Sequence, residues 1–165
     1  MPRIVHLSDL HHQLDWGARS WFSTGWRGLP GRFELHGLGR LARFKKAAES
    51  IRRLVDHALE LEPDHIVLTG DLSALGHADE LETVRTSLKP LLDTGRLLLV
   101  PGNHDRYTDA PDRRHFERLF TEELKSDLPE HADATGYPYV RLLGDRHAVV
   151  GLDSTRVSGW SHYFF

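Results

Sequence analysis

A chain of 165 residues, 39% hydrophobic and 27% charged, has the composition of one ordinary globular domain. Its 21 lysines and arginines against 24 acidic residues give a net charge of −3, which removes any bulk electrostatic case for wrapping nucleic acid. The lack of cysteine excludes disulfide scaffolds, thiolate zinc sites, iron–sulfur clusters and cysteine nucleophiles, while 12 histidines are an unusual supply of metal ligands and proton carriers.

The opening Met1-Pro2-Arg3-Ile4-Val5-His6-Leu7-Ser8-Asp9 has neither the apolar stretch nor the small-residue cleavage site of a signal peptide. No apolar run approaches the roughly 18 residues that span a bilayer, so a soluble, cytoplasmic domain is the expectation. Residues 4–7 form a short apolar run that stops at Ser8-Asp9; residues 65–69 form another, ending in Gly70-Asp71; residues 97–100 form a third, ended by Pro101-Gly102-Asn103. Continuously apolar runs of this length, bounded by turn residues, predict strands buried on both faces. Between the first two, Leu41, Phe44, Ala48, Ile51, Val55, Ala58 and Leu61 recur in steps of three and four, which predicts a helix with one apolar face. Leu81, Val84, Leu88 and Leu91 predict a second helix, and Phe116, Leu119, Phe120 and Leu124 a third with Asp112 as its N-cap. Residues 139–143 and 147–152 predict a hairpin turning at Gly144-Asp145-Arg146. Strands alternating with helices imply β-α-β crossovers, hence an α/β fold with a mostly parallel sheet flanked by helices, in a single domain over residues 1–165.

Two segments stand outside this scheme. Residues 16–39 are aromatic, glycine-rich and basic, and Trp16, Trp21 and Trp26 do not keep one helical face. The favoured reading is an excursion that packs its aromatics over the core edge; a substrate lid, or a membrane-surface patch using Arg19, Arg27 and Arg32, are the alternatives. The chain closes on Trp160-Ser161-His162-Tyr163-Phe164-Phe165, with no polar tail.

The three strand ends carry Asp9, His11 and His12, then Gly70-Asp71, then Gly102-Asn103-His104-Asp105. Taken singly, each is explained by turn chemistry. Taken together they ask for more, because the carboxyl ends of parallel strands lie along one rim, where ligands bind. That rim would gather Asp9, His11, Asp71, Asn103 and His104. Oxygen and imidazole donors without thiolate suit Mn²⁺, Fe or Zn²⁺. Asp9 and His11, two residues apart, can reach one ion, and Gly70 and Gly102 allow sharp turns and close backbone approach.

Asp-x-His at 9–11, Gly-Asp at 70–71 and Gly-Asn-His-Asp at 102–105, each after a buried strand and in this order, resemble the calcineurin-like metallophosphoesterases. The resemblance runs over residues 1–153, including the closing Val149-Val150-Gly151-Leu152-Asp153-Ser154. It implies a two-sheet sandwich flanked by helices, with a two-metal centre at one sheet rim. By the same resemblance Asp9 and His11 would bind the first ion, Asp71 would bridge both, and Asn103 would bind the second through its amide oxygen. His104 would contact the phosphate and protonate the leaving oxygen, with Asp105 and His12 in supporting or substrate-side places. The implied cofactors are two divalent ions, Mn²⁺ first, with Fe, Zn²⁺ or Mg²⁺ as alternatives. The implied reaction is in-line hydrolysis of a phosphate ester by a hydroxide bridging the ions, which also neutralise the phosphoryl oxygens. An imidazole, titrating near neutrality, suits the general acid. The second motif continues Leu72-Ser73-Ala74-Leu75 rather than Asp-Arg-Gly, and the third ends in Asp105 rather than Glu. Both point away from Ser/Thr protein phosphatases and toward bacterial-type phosphodiesterases or small-molecule phosphoesterases. The implied substrate is a phosphodiester or phosphomonoester of a small molecule or nucleotide.

The family pattern goes on to an isolated histidine and then Gly-His-x-His. Here His115, His131, His147 and His162 stand in other contexts. The expectation is therefore the N-terminal portion of a longer phosphoesterase, its domain lacking the C-terminal part, with homo-oligomerisation through the aromatic tail as one way to cover the open side. Two other functions compete with hydrolysis. One is a non-catalytic module that binds metal or phosphate and acts through partners. The other is a basic-aromatic surface at residues 16–39 working on membrane or nucleic acid, which the net charge does not support.

Overall fold

The computed structural model describes residues 2–12, 47–106 and 114–155. The expectations placed on residues 13–46, on Asp112 and on residues 156–165 lie outside the described residues.

Three strands, β1 (Ile4–Leu7), β2 (His65–Leu68) and β3 (Leu97–Leu99), form a parallel sheet in the order β1-β2-β3. Val5 lies opposite Ile66, and Ile66 opposite Leu97. Alternation along each strand then sorts the side chains onto two faces. Val5, Leu7, Ile66, Leu68, Leu97 and Leu99 pack with Ile51, Val55 and Ala58 of helix α1 (Ala47–Glu60) and with Leu81 and Val84 of α2 (Ala78–Ser87). Val67, Leu98 and Val100 face the other way, toward Tyr137, Tyr139 and Val149. The expected double burial holds for β3, while β2 is buried on one face and half-buried at His65 and Val67 on the other. It is corrected for β1, one of the two edge strands among the described residues, which leaves Ile4 46% exposed.

The second predicted helix is two. α2 ends at Ser87, and α3 (Lys89–Leu92) starts afresh. Pro90 is the cause: it has no N–H to continue the ladder and fits only a first turn. Leu81, Val84, Leu88 and Leu91 are nonetheless all fully buried, because the break does not change which side faces the sheet. The third predicted helix is also shorter than its apolar pattern. α4 (His115–Leu119) gives way to turns at Phe120. Thr121 Oγ1 donates to the carbonyls of Glu117 and Arg118, the local competition that favours leaving a helix.

The predicted hairpin is present as β4 (Tyr139–Leu143) and β5 (His147–Gly151), antiparallel, with Gly144 at φ 65° in the turn. It makes a second sheet over the β3 side of the first. Tyr139 fastens the two: its hydroxyl donates to the Leu99 carbonyl at 2.8 Å, and its ring lies over Gly151. A side chain at 151 would meet that ring, its Cβ 2.5 Å from Tyr139 Cζ. No helix among the described residues is long and apolar enough to cross a membrane.

Candidate metal centre

Beyond their last residues, β1, β2 and β3 do not splay apart. Thr69 N–H donates to the Leu7 carbonyl, Asp9 N–H to Gly70, His11 N–H to Asp71, and His12 N–H to Leu72, at 2.8–3.1 Å. The return bond runs from Ala74 N–H to the His12 carbonyl at 2.9 Å, with His12 and Ser73 paired as an isolated bridge. The two exit segments are zipped together residue by residue. This course requires backbone turns that ordinary residues resist. Asp9 (φ 58°), His11 (φ 44°) and Asp71 (φ 52°) are all left-handed, as is Gly70 (φ 87°). Asp and His tolerate that region better than most non-glycine residues, yet each such turn still costs about 1 kcal/mol or more. Strain concentrated at three non-glycine residues of one rim is the kind that function maintains.

The side chains meet at that rim. One nitrogen or carboxylate oxygen each from His11, Asp71 and His104 lie within 4.8 Å of one another, a group that could hold a metal ion. Ligands about 2.1 Å from a shared ion are at most about 4.2 Å apart, so closure needs only a small movement. His11 Nε2 is 3.7 Å from Asp9 Oδ1 and 4.0 Å from Asp71 Oδ2, which places one imidazole between two carboxylates. The His11 and His104 rings meet edge to face with centroids 4.7 Å apart. Asp71 Oδ1 accepts the His104 backbone N–H at 3.0 Å. His104 Nδ1 is 2.8 Å from the Ala74 carbonyl oxygen. A carbonyl only accepts, so Nδ1 carries the hydrogen and Nε2 is the nitrogen that serves as ligand or proton carrier.

The chemistry of this donor set fits a cation. Asp71 is largely buried, 18% exposed at its side chain, and among the described residues neither it nor Asp9 is paired with lysine or arginine. A buried carboxylate without a positive partner is unfavourable, and a divalent ion would supply that partner. Nitrogen and oxygen donors without sulfur suit Mn²⁺, Fe or Zn²⁺.

The remaining predicted residues take different places. Asn103 is half-buried at the head of the short 3-10 turn His104–Arg106, its carbonyl accepting Arg106 N–H at 3.1 Å. Asp105 is fully buried beneath the rim. Its Oδ1 accepts Ser73 N–H and Ser73 Oγ–H, and its Oδ2 accepts Leu72 N–H and Gly102 N–H, at 2.9–3.2 Å. Burial pushes its carboxyl above the usual carboxylate range, against the pull of those four donors. It staples the exit of β2 to the exit of β3. His12 is buried and not part of the three-residue group, and among the described residues its ring nitrogens have no hydrogen-bond partner. Burial lowers its pKa, so it is a neutral ring packed in the fold. His115, His131 and His147 are not part of the group.

One cluster beside the rim has no local signal in the sequence. Arg106, the residue after Asp105, sends its guanidinium to Glu117 on α4, Nη1 donating to Oε2 at 2.9 Å and Nη2 to Oε1. Nη2 also donates to Asp153 Oδ2 at 3.0 Å, and Nε to Thr155 Oγ1 at 3.3 Å. The guanidinium carbon stands 5.7 Å from the centre of the Phe116 ring. Burial alone would raise the Glu117 pKa, but hydrogen bonding and charge from Arg106 outweigh it and hold the carboxyl below its ordinary 4.5. A depressed carboxyl stabilises the fold above pH 4.5 and gives that stability up as pH falls through its lowered value. Glu117→Gln is therefore expected to flatten the fall of unfolding free energy below pH 4.5, as read from urea midpoints over a pH series.

No curated protein matches this chain. The family model for calcineurin-like phosphoesterases, metal-dependent hydrolases of phosphoesters, matches residues 2–160. With β1 to β5, their strand-end acids and histidines, and nearly the whole length inside that match, the chain belongs to the calcineurin-like phosphoesterase family.

Proposed function

We propose that the rim of the parallel sheet is a two-metal centre that hydrolyses phosphate esters of small molecules or nucleotides. The observation that carries this reading is the convergence of His11, Asp71 and His104 from three separate strand ends, around a carboxylate that has no lysine or arginine partner among the described residues. Asp9 and His11 would hold one ion, Asp71 would lie between two, and Asn103 would serve the second. Two divalent cations, Mn²⁺ first, supply the positive charge that makes water acidic near neutral pH and offsets negative charge on the phosphoryl oxygens.

The chain's own groups do the rest. Asp71 orients the His104 turn by accepting its backbone N–H. The Ala74 carbonyl fixes the His104 ring, so that a proton carried on Nε2 is delivered in one direction, toward a leaving oxygen at the rim. His104 lies close enough to His11 and Asp71 to be a ligand by distance, whereas the family resemblance makes it the acid. Metal affinity separates the two roles.

The test is hydrolysis of bis-nitrophenyl phosphate and nitrophenyl phosphate with added Mn²⁺, after removal of endogenous metal by chelation. Activity is expected to return with the metal. His104→Ala is expected to lower kcat by about 10²–10⁴-fold, the usual contribution of a positioned acid, with Mn²⁺ affinity retained. Loss of Mn²⁺ binding in that variant would make His104 a ligand instead. A second reading is a module that binds metal or phosphate at the same rim without turnover. Tight Mn²⁺ binding by the parent with no hydrolysis of either ester would establish it and end the catalytic proposal.

A further inference from the structure

We propose that Arg106 is a positioning residue for the metal-binding turn, holding Asn103 and His104 in register by tying that turn to α4 and to the segment that follows β5; the inference rests on the metal-centre reading above.

The segment after β3 has three anchors. His104 N–H is held by Asp71, and Asp105 is held by the four donors from the β2 and β3 exits. Both of those anchors lie within the rim itself, so they move with it. Arg106 is the third, and it leaves the rim. Its fork reaches Glu117, 11 residues on in α4, which packs on one face of the parallel sheet, and Asp153, 47 residues on, just past β5, whose Val149 packs on the other face. The turn is only three residues long and is closed by Arg106 N–H on the Asn103 carbonyl. A shift at Arg106 is therefore transmitted to Asn103 and His104 with little slack.

Stability alone is a poor explanation of the cluster. The Arg106, Glu117 and Asp153 side chains are only 14%, 12% and 10% exposed. Buried ion pairs of this kind are often no more stabilising than apolar residues of the same shape. What a guanidinium adds is direction: three nitrogens in one plane engage four acceptor oxygens on three residues at once, which a lysine ammonium cannot reproduce. Groups that orient metal ligands from behind in this way typically change metal affinity by about 10–100-fold when removed.

The experiment uses the full chain and Co²⁺ as a spectroscopic probe, titrated into chelated protein and followed by its visible d–d bands. Arg106→Met, Arg106→Lys and Glu117→Gln are compared with the parent, each measured well below its own urea transition so that the folded fraction is constant. Arg106→Met is expected to weaken Co²⁺ binding about 10–100-fold and to alter the band shape, which reports coordination geometry. Arg106→Lys is expected to rescue little, and the Arg106→Met/Glu117→Gln pair to be no worse than Arg106→Met alone, since both break one unit. If Arg106→Met does not fold, Arg106→Lys and Glu117→Gln decide the outcome. Variants that bind Co²⁺ with parental affinity and parental bands overturn the positioning role and leave the metal centre standing. A parent that gives no Co²⁺ bands overturns the metal centre and this inference together.

Discussion

Asp71→Asn is expected to abolish the thermal stabilisation that divalent metal confers while leaving the metal-free protein as stable as the parent, or slightly more so. The two halves of this result come from one feature. Asp71 is 18% exposed, sits between the exits of β2 and β3, and faces His11 Nε2 at 4.0 Å, with no lysine or arginine against it among the described residues. Without an ion, its charge is a burden on the fold. Asparagine keeps an oxygen to accept His104 N–H and removes that charge. With an ion, the same charge would attract it directly. An ion present at a hundred times its dissociation constant stabilises the parent by about 2.7 kcal/mol, which appears as a higher Tm. In Asp71→Asn that increment is expected to vanish, together with at least about 100-fold in affinity, more than a merely supporting group would lose. Differential scanning fluorimetry with and without Mn²⁺ checks both halves. An undiminished metal shift would remove Asp71 from the centre.

Gly70→Ala carries the largest expected effect on folding itself. Gly70 turns with φ 87°, and a Cβ there would lie 2.6 Å from Gly102 Cα and 2.7 Å from the Pro101 carbonyl carbon, as well as against the Gly102 nitrogen. These obstacles are backbone, which cannot swing aside. A left-handed alanine costs about 1–2 kcal/mol, and overpacking a tight site adds about 1–3 kcal/mol, so a loss of about 2–5 kcal/mol is expected. It would be read as a lower urea midpoint at unchanged slope. Gly102→Ala is the informative companion. Its Cβ would meet Asp71 Oδ1 and N, and stand 2.8 Å from Asp71 Cγ. That substitution is expected to displace the carboxylate and lower metal affinity beyond its effect on stability.

Much of this molecule is legible in short stretches of its sequence, and the reason is physical. The burial of Ile66 and Leu68 follows the continuous apolar run that carries them, though the same kind of run at Ile4–Leu7 lies at a sheet edge, and the acids and amides after each run announce that the chain must turn there. The same windows mislead where one residue overrides the pattern. The apolar period across Leu81–Leu91 is intact, but Pro90 breaks the ladder beneath it, and Thr121 ends α4 while Phe120 and Leu124 still look helical. Other features leave no local mark at all. Arg106 reads as one more charged residue after a motif; only the placement of α4 and β5 in space makes it the hub of Glu117, Asp153 and Thr155. His12 looks like a spare ligand beside His11, yet the one-residue step in the zipped exit segment sends it into the interior.

The zipper of backbone bonds between residues 9–12 and 70–74 has a consequence for how an ion would be captured. A loop that has to gather its donors loses conformational freedom at the moment of capture, and part of the attraction is consumed in that ordering. Here the freedom is surrendered during folding, so the rim behaves as a rigid receptor. Recognition would then depend on ionic radius and on how readily a hydrated cation sheds its water, rather than on the protein rearranging around it.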